Sequence, residues 1–228
     1  MKDVLIYGAS GLGSLTLDIL MVAGQFRPIG FLDSDREKLG TIVDGLPVLG
    51  GLDAISATRI ARLAGIVVAV GDGRVRAALG DECRRRGLQL ISAIHPLASI
   101  SPSATVGAHV IIGARSTVCV NVSIGDHAII SAGCIVDHDC VLEQGAFLHP
   151  AVRLAGGVRV GRNAVLHIGS SVIPGRKIGD AALVGPGSVV IRDVPSGLSV
   201  QGVPAQQSVS DTSRFVADRA PPIALAAH

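Results

Sequence analysis

A period of six residues runs through the middle of the chain without a break. From Ile94 to Pro195, seventeen consecutive hexapeptides, 17 × 6 = 102 residues, each begin with Ile, Val or Leu. The fifth position of each unit is Ala, Val, Ser or Cys, except at Arg176. Gly occupies the second position in six units, where it predicts a turn that needs a backbone without a Cβ: Gly107, Gly113, Gly125, Gly161, Gly179 and Gly185.

This period predicts a parallel β-helix, because α-helices repeat every 3.6 residues and hairpin strands every two. Three short strands of six residues make a coil of 18 residues, so 102 residues give between five and six coils. The large first-position side chain points inward, and the small fifth-position residue fits beside it. Residues 18 positions apart are then stacked, which places His138 between Val120 and Gly156.

Aliphatic residues must form the core, because the 228 residues include four Phe, one Tyr and no Trp. Single-stranded nucleic acids are bound by aromatic side chains that stack on the bases, so this scarcity argues against a nucleic-acid partner. The net charge of +2 neither favours nor excludes acidic partners. No apolar run approaches the ~20 residues of a membrane span, and Asp3 lies where a signal peptide carries positive charge. We therefore expect no membrane insertion and a cytoplasmic location. The cysteines lack a CxxC spacing and are expected to be reduced core residues: Cys83, Cys119, Cys134 and Cys140.

The first ninety residues show a different pattern, a strand followed by a glycine turn and a helix. Residues 3–7 form an apolar run, and an apolar-periodic stretch over 15–22 predicts the helix. The turn between them can bring phosphate or ribose to backbone N–H groups at the positive end of the helix. Its candidate substrate-binding residues are Gly8, Ser10, Gly11 and Gly13.

Two further predicted strands end in polar residues that complete the candidate pocket. Residues 29–32 precede Asp33 and Ser34, and residues 66–70 precede Gly71 and Asp72. A carboxylate after the second strand can bond ribose or a base. Since this region ends near residue 92, it is too short for a complete dinucleotide fold. We predict a small Rossmann-like α/β domain over 1–92 that holds a mononucleotide, in preference to a nicotinamide-dependent reductase.

Stacked histidines raise the alternative of a metal site. The 18-residue spacing stacks His109 on His127, and His149 on His167. Hexapeptide-repeat carbonic anhydrases place two metal ligands 36 residues apart, and no two histidines here have that separation. We therefore expect solvated turn histidines and no metal.

Six motifs together resemble the sialic-acid O-acetyltransferase-like family of bacterial sugar acyltransferases, which includes N-acetyltransferases of UDP-, GDP- or dTDP-linked amino sugars. The motifs are Gly8-Ala9-Ser10-Gly11, Gly30-Phe31-Leu32-Asp33, Gly71-Asp72, Ile94-His95-Pro96, Val136-Asp137-His138-Asp139-Cys140 and Gly202-Val203-Pro204-Ala205. The resemblance covers residues 3 to about 206. It implies a sugar-nucleotide domain over 1–92, a left-handed β-helix over 93–195, and a C-terminal loop and tail over 196–228. It also implies a homotrimer with acetyl-CoA between adjacent β-helices.

The resemblance assigns roles to individual residues. The histidine that matches His138 is the catalytic base of the family, and the acid that follows it, here Asp139, orients the ring. A histidine can take a proton near neutral pH, and a carboxylate fixes its tautomer. Gly156, one coil above, is the candidate oxyanion donor. The other matching positions are Ile168 and Gly185 along the CoA chain, Ala205 near its adenine, and Ser131 facing the acceptor sugar.

Three positions depart from the family pattern. Leu12 replaces the histidine of the usual Gly-His-Gly turn, and Asp33-Ser34 replaces a pair of acids. The second departure leaves the nucleotide base open. Phe147 occupies the position of a histidine that touches CoA in relatives, and His149, two residues later, is the candidate to replace it.

The sequence therefore predicts an acetyl-CoA-dependent N-acetyltransferase of a nucleotide-linked 4-amino sugar, such as a GDP-perosamine-like compound, in surface-glycan precursor synthesis. Transfer is expected to be direct, within a ternary complex. One alternative is O-acetylation of sialic acid or another sugar hydroxyl with the same base. Another is a non-catalytic trimeric scaffold that binds sugar nucleotides. In the tail, residues 211–219 either form a short capping helix or are disordered.

Overall fold

The structure is a computed structural model that describes residues 1–56 and 60–208. The helix considered over 211–219 lies outside the described residues. An N-terminal unit with a parallel sheet is followed by a β-solenoid of about six turns over 93–200, which confirms the predicted fold class. Across the described ranges, none of the helices has the length and apolar character that a bilayer crossing demands.

The N-terminal unit is built on a three-stranded parallel sheet in the order β2-β1-β5. In chain order its elements are β1 (Lys2–Tyr7), α1 (Gly11–Ala23), β2 (Phe26–Leu32), β3 (Ile42–Val43), β4 (Leu46–Pro47), β5 (Gly65–Val68) and α2 (Gly73–Arg85). Strands β3 and β4 form a short hairpin. Strand β5 is buried along its whole length, as expected for a parallel strand covered on both sides.

The solenoid has three faces, each a parallel ladder of two-residue strands 18 residues apart. Face 1 contains β6 (Ala93–Ile94), β9 (Ile111–Ile112), β12 (Ile129–Ile130), β15 (Phe147–Leu148), β18 (Val165–Leu166) and β21 (Leu183–Val184), extended by β23 (Ser199–Gln201) and antiparallel β24 (Gln206–Gln207). Face 2 contains β7 (Ser99–Ile100), β10 (Thr117–Val118), β13 (Ile135–Val136), β16 (Arg153–Leu154), β19 (Ser171–Val172) and β22 (Val189–Val190). Face 3 contains β8 (Thr105–Val106), β11 (Ser123–Ile124), β14 (Val141–Leu142), β17 (Arg159–Val160) and β20 (Lys177–Ile178).

The interior of the solenoid follows the hexapeptide pattern. First-position side chains from Ile112 to Val190 are at most 3% exposed. At position five, Ser116 Oγ donates to Ser131 O at 2.8 Å, and Cys134 Sγ donates to His149 O at 3.2 Å. Three of the four cysteines are buried as predicted, but Cys119 is partly exposed because it lies at a second position, near a corner.

Each corner turns at the fourth position of the hexapeptide. From His109 to Gly187, every fourth-position residue has a left-handed backbone, with φ between 53° and 73°. The second-position glycines have no such φ. They are required because the next coil passes close by: a Cβ on Gly161 would lie 2.6 Å from the Asp180 nitrogen. The predicted need for a missing Cβ is therefore right, but its cause is close approach of the next coil, by backbone atoms at five of the six glycines and by the Gln201 side chain at Gly185.

The N-terminal unit packs on face 1. Sixth-position side chains that point out of this face join its core: Ala93, Ile111, Ile129 and Phe147. At the corner between faces 3 and 1, His109 and His127 are 1% and 2% exposed, so the expectation of solvated turn histidines is wrong for this pair. His109 Nε2 accepts the Val68 N–H at 2.8 Å, and the two Nδ1 atoms are 2.8 Å apart. Burial lowers the pKa of His109 to about 3, so it is neutral.

The two kinds of glycine give a direct test. We expect Gly161→Ala to lower the free energy of unfolding by about 1–3 kcal/mol or more, because its Cβ would collide with the next coil. Gly133 has a φ of 69°, and a Cβ there would meet no heavy atom within 4 Å. We therefore expect Gly133→Ala to lower the free energy of unfolding only by the conformational strain of about 1–2 kcal/mol. Thermal and denaturant unfolding of both variants would measure the difference. Equal losses would contradict this assignment of the second-position glycines.

Candidate active site

His138 and Asp139 lie side by side at the corner between faces 2 and 3. The corner joins β13 to β14, with His138 at position three and Asp139 at the left-handed position four, φ 58°. Asp adopts this region more readily than most residues. The turn brings Asp139 Oδ2 to 2.8 Å from His138 Nδ1. The sequence therefore builds the pair locally, with no long-range packing.

Hydrogen bonds around this pair favour a basic imidazole. Asn121, one coil below, donates its Nδ2 to Asp139 Oδ1 at 3.1 Å, and the His138 N–H donates to Asp137 Oδ1 at 2.8 Å. The hydrogen bond to Asp139, and then the charge of Asp137, raise the pKa of His138. Both side chains of the pair are more than half exposed. With Nδ1–H donated to the carboxylate, Nε2 is left as the proton acceptor.

Gly156 keeps the imidazole accessible from above. A Cβ at this position would overlap Nε2 and lie 2.5 Å from Cε1 of His138. The Gly156 carbonyl accepts from Gly175 N–H at 2.9 Å, while within the described chain no acceptor is bonded to the Gly156 N–H. A backbone donor is thus free beside His138 Nε2.

The residues predicted to contact acetyl-CoA and the acceptor sugar lie at the opposite edge of face 2 from His138. Ser131, His149 and Gly185 share the second-position column at the corner between faces 1 and 2, and Ile168 follows that column at position three. Ala205 donates its N–H to Val189 O, at the top of face 2. A single chain therefore does not bring these residues to His138.

An aromatic stack runs along that second corner. Phe147 and His149 have ring centroids 4.2 Å apart, and His149 and His167 4.6 Å apart. The stack starts beside the N-terminal unit, since a Cβ on Gly71 would lie 3.9 Å from Cε1 of Phe147. Burial lowers the pKa of His149 to about 4 and also lowers that of His167. These histidines form the predicted ladder, and both are neutral at pH 7. His167 is buried, so the expectation of a solvated turn histidine is wrong for it as well.

The glycine turn of the N-terminal unit is held closed by Asp33. Its Oδ2 accepts from Ala9 N–H and from Lys38 Nζ, both at 2.9 Å, and its Oδ1 accepts from Asp35 N–H at 2.9 Å. Burial acts to raise the pKa of Asp33, but these hydrogen bonds outweigh it and lower the pKa. Asp33 therefore shapes the loop, and Lys38, which the sequence analysis missed, places a cation at the turn. The lysine comes from a short helical turn after β2 that no apolar period reveals.

The other residues predicted to bind the substrate differ in what they do in the structure: some are needed for backbone packing or helix capping, and others face open space. Gly8, with φ 110°, and Gly13 let strand and helix approach, because Cβ atoms there would overlap Ala69 O and Gly8 O. Asp72 caps α2 by accepting from Arg74 and Val75 N–H. Ser10 starts α1 without a capping side-chain bond, and nothing lies within 4 Å of a Cβ on Gly11.

Ser34, predicted to bind the substrate, forms a side-chain hydrogen bond with Tyr7 at the end of β1. Burial is the main cause that raises the pKa of this tyrosine, so its hydroxyl stays protonated. In the described part of the chain, no three His, Cys, Asp or Glu side chains group as a metal ion would require.

Comparisons with known proteins place these features in a family. Residues 3–82 match the PglD N-terminal domain. No curated protein sequence matches the chain. Perosamine N-acetyltransferase from Caulobacter crescentus, solved with CoA and GDP-perosamine as a variant with one histidine changed to asparagine, is 38% identical with a TM-score of 0.86. That match covers 92% of this chain and 98% of the other.

Two further solved structures share the fold over most of the chain. The acetyltransferase domain of PglB from Neisseria gonorrhoeae, in complex with acetyl coenzyme A, is 28% identical with a TM-score of 0.81 and coverage of 91% and 99%. WeeI from Acinetobacter baumannii, at 24% identity and a TM-score of 0.72, shows the same fold over 91% of this chain and all of its own. From the match to the Caulobacter enzyme over nearly the whole of both chains, together with the hexapeptide solenoid, it follows that the protein belongs to the sugar acetyltransferases of the hexapeptide-repeat family.

Proposed function

We propose that this protein transfers the acetyl group of acetyl-CoA to the 4-amine of a nucleotide-linked sugar, in the cytoplasmic synthesis of a surface-glycan precursor. The observation that carries the proposal is the His138 imidazole, oriented by Asp139 at Nδ1 and left open at Nε2 by Gly156. The relatives support the substrates, since the Caulobacter enzyme was solved with CoA and GDP-perosamine and the PglB domain with acetyl coenzyme A.

The reaction would proceed by direct attack of the amine on the thioester. The C–N bond forms as His138 Nε2 takes the amine proton, and Asp139 stabilises the resulting imidazolium. The carbonyl oxygen becomes an oxyanion, to which the Gly156 N–H donates. Collapse of this intermediate breaks the C–S bond, and the sulfur of CoA leaves with the proton held by His138.

The cysteine beside the base supports direct transfer over an acyl-enzyme route. Cys140 is buried, and its Sγ donates to Ala155 O at 3.2 Å. Burial raises the pKa of this thiol to about 11, so almost no thiolate is present at neutral pH.

The fold argues that the site is completed by a neighbouring copy in a homotrimer. The nucleotide domain packs on face 1, whereas His138 lies at the corner between faces 2 and 3, which is opposite face 1. Apolar side chains between 38% and 54% exposed lie on face 2 and its corners, where a second copy would cover them: Val120, Ile135, Ile168, Ile173 and Ile191. In such a trimer the corner with His149, Ile168 and Gly185 meets the His138 corner of the next copy, and acetyl-CoA lies between them.

Replacement of the base tests the reaction. We expect His138→Ala to lower kcat by about 10²–10⁴ through the loss of general base catalysis, with acetyl-CoA binding retained. Thiol release from acetyl-CoA with UDP-, GDP- and dTDP-linked 4-amino sugars, and with sialic acid as a hydroxyl acceptor, measures the rate. Gln144→Ala, an exposed third-position residue on the same coil, is the control. An unchanged rate in His138→Ala would refute the proposed base, and turnover on the hydroxyl acceptor alone would refute N-acetylation.

The pH profile tests the role of Asp139. His138 must be neutral to act, so kcat/KM falls as the pH drops below its raised pKa. Asp139→Asn removes the largest cause of that shift, so the acidic limb should move to lower pH while the plateau falls. Asp126→Asn, an exposed carboxylate that accepts Ala108 N–H at another corner, should leave the profile unchanged. A limb that stays in place in Asp139→Asn would contradict the pairing.

Mixed trimers test the shared site. Gly11→Glu adds a negative charge where its Cβ meets no atom within 4 Å, and should repel a diphosphate at the start of α1. Co-expressed with His138→Ala at equal amounts, it should give a population with about a quarter of wild-type activity by random assortment, because each mixed trimer holds one intact site of three, whereas each variant alone is inactive. Inactive hybrids of confirmed mixed composition would place the site within one chain.

A further inference from the structure

Helix α2 packs against the solenoid through a narrow face. Its residues Gly73, Arg76 and Gly80 lie at i, i+3 and i+7, on one side of the helix. They contact a single column of fourth-position residues at the corner between faces 3 and 1, formed by His127, Gly145 and Asn163. We call this contact the docking seam.

Arg76 joins the two parts of the chain through one planar group. Its side chain is 0% exposed. NH1 donates to Val70 O at 2.6 Å and to Gly71 O at 2.9 Å, both in the loop that leads from β5 into α2. Nε donates to His127 O at 2.8 Å and NH2 to Gly145 O at 2.9 Å, both on the solenoid. Because a guanidinium is rigid and planar, these bonds fix the loop relative to the coils.

The two glycines set how closely the helix approaches. A Cβ on Gly73 would lie 2.7 Å from Gly145 O, and a Cβ on Gly80 would lie 2.7 Å from Cε1 of His127. Any larger residue would push α2 away from the corner. The seam therefore allows one seating of the helix.

The buried charge points to orientation as the purpose of this contact. In the ranges 1–56 and 60–208, no carboxylate forms an ion pair with Arg76, and all four acceptors are carbonyls. Burial lowers the pKa of Arg76 to about 10, so it remains cationic at neutral pH. Removing a cation from water is costly, and the four hydrogen bonds to carbonyls offset that cost. The planar fork of donors makes all four bonds only when the loop and the two coils are held in one arrangement.

We infer that the docking seam aligns the nucleotide pocket with the acyl-transfer site, and that Arg76 is a positioning residue for nucleotide-linked acceptors. This inference rests on the proposed function. Gly71 is one of the residues predicted to line the nucleotide pocket. Gly145 lies on the same coil as His138, one strand, β14, further along. The seam thus ties the pocket to the coil that carries the base. In a symmetric trimer it also fixes the distance from each pocket to His138 of the neighbouring copy.

The test compares two acceptors that share the reacting amine. One is the nucleotide-linked 4-amino sugar, and the other is the same amino sugar without its nucleotide, used at high concentration. We expect Arg76→Met to lower the ratio of their kcat/KM values by about 10- to 100-fold, since misplacement by about 1 Å has such effects. The KM for acetyl-CoA and the rate with the free sugar should be retained. Arg76→Lys, a point donor that cannot reproduce the fork, should give a smaller loss, and Arg85→Met, 69% exposed at the end of α2, should give none.

General damage to the fold would lower both rates alike and leave the ratio unchanged, and that outcome overturns the inference. Should Arg76→Met not fold, Gly73→Ala keeps the arginine but displaces α2, and the same fall in the ratio is required of it. A wild-type protein that acetylates neither acceptor would instead overturn the proposed function, and the seam's role with it. If the wild-type protein prefers the nucleotide-linked acceptor and both Arg76→Met and Gly73→Ala keep that preference, the proposed role of the docking seam is wrong while the proposed function stands.

Discussion

The left-handed backbone at the fourth position of each hexapeptide is the constraint on which the rest of the structure depends. It recurs without a gap from His109 to Gly187 and closes each coil after 18 residues. Because coils stack in register, each residue has a fixed neighbour one coil away. This spacing sets Gly156 over His138, Asn121 under Asp139, and Gly145 within reach of Arg76.

What the sequence could predict is what the repeat makes local. The inward aliphatic residues and the 18-residue stacking follow from the spacing of the repeat. The family resemblance points to His138 and Asp139, and the turn between two adjacent strands is enough to bring the two side chains together. The burial of His109 and His127 could not be predicted in this way, because it depends on which face the N-terminal unit covers. Asp33 accepts a hydrogen bond from Lys38, and Asp72 accepts from the first N–H groups of α2. These bonds use the carboxylates that the sequence analysis assigned to the substrate, and the periodicity of the sequence does not predict them.

The role of Arg76 also could not be predicted from the sequence. As one of several arginines in α2, it is indistinguishable by sequence from the exposed Arg84 and Arg85, which form ion pairs on the helix surface. Only the packing of α2 against the corner makes it a buried, four-fold donor. The helical period places Arg76 on the same side of α2 as Gly73 and Gly80. The sequence does not show that this side packs against the solenoid.

The coil length also governs how such a chain can change in evolution. A deletion or insertion of six residues preserves every local rule of the repeat, yet it turns all that follows by one face of the prism. A change of this kind after His138 would carry Ile168 and Gly185 away from the corner between faces 1 and 2, while the interior stayed perfectly filled. Viable length variants of this solenoid should therefore differ by whole coils of 18 residues, so that lineages lengthen or shorten their groove in steps of about 5 Å along the axis.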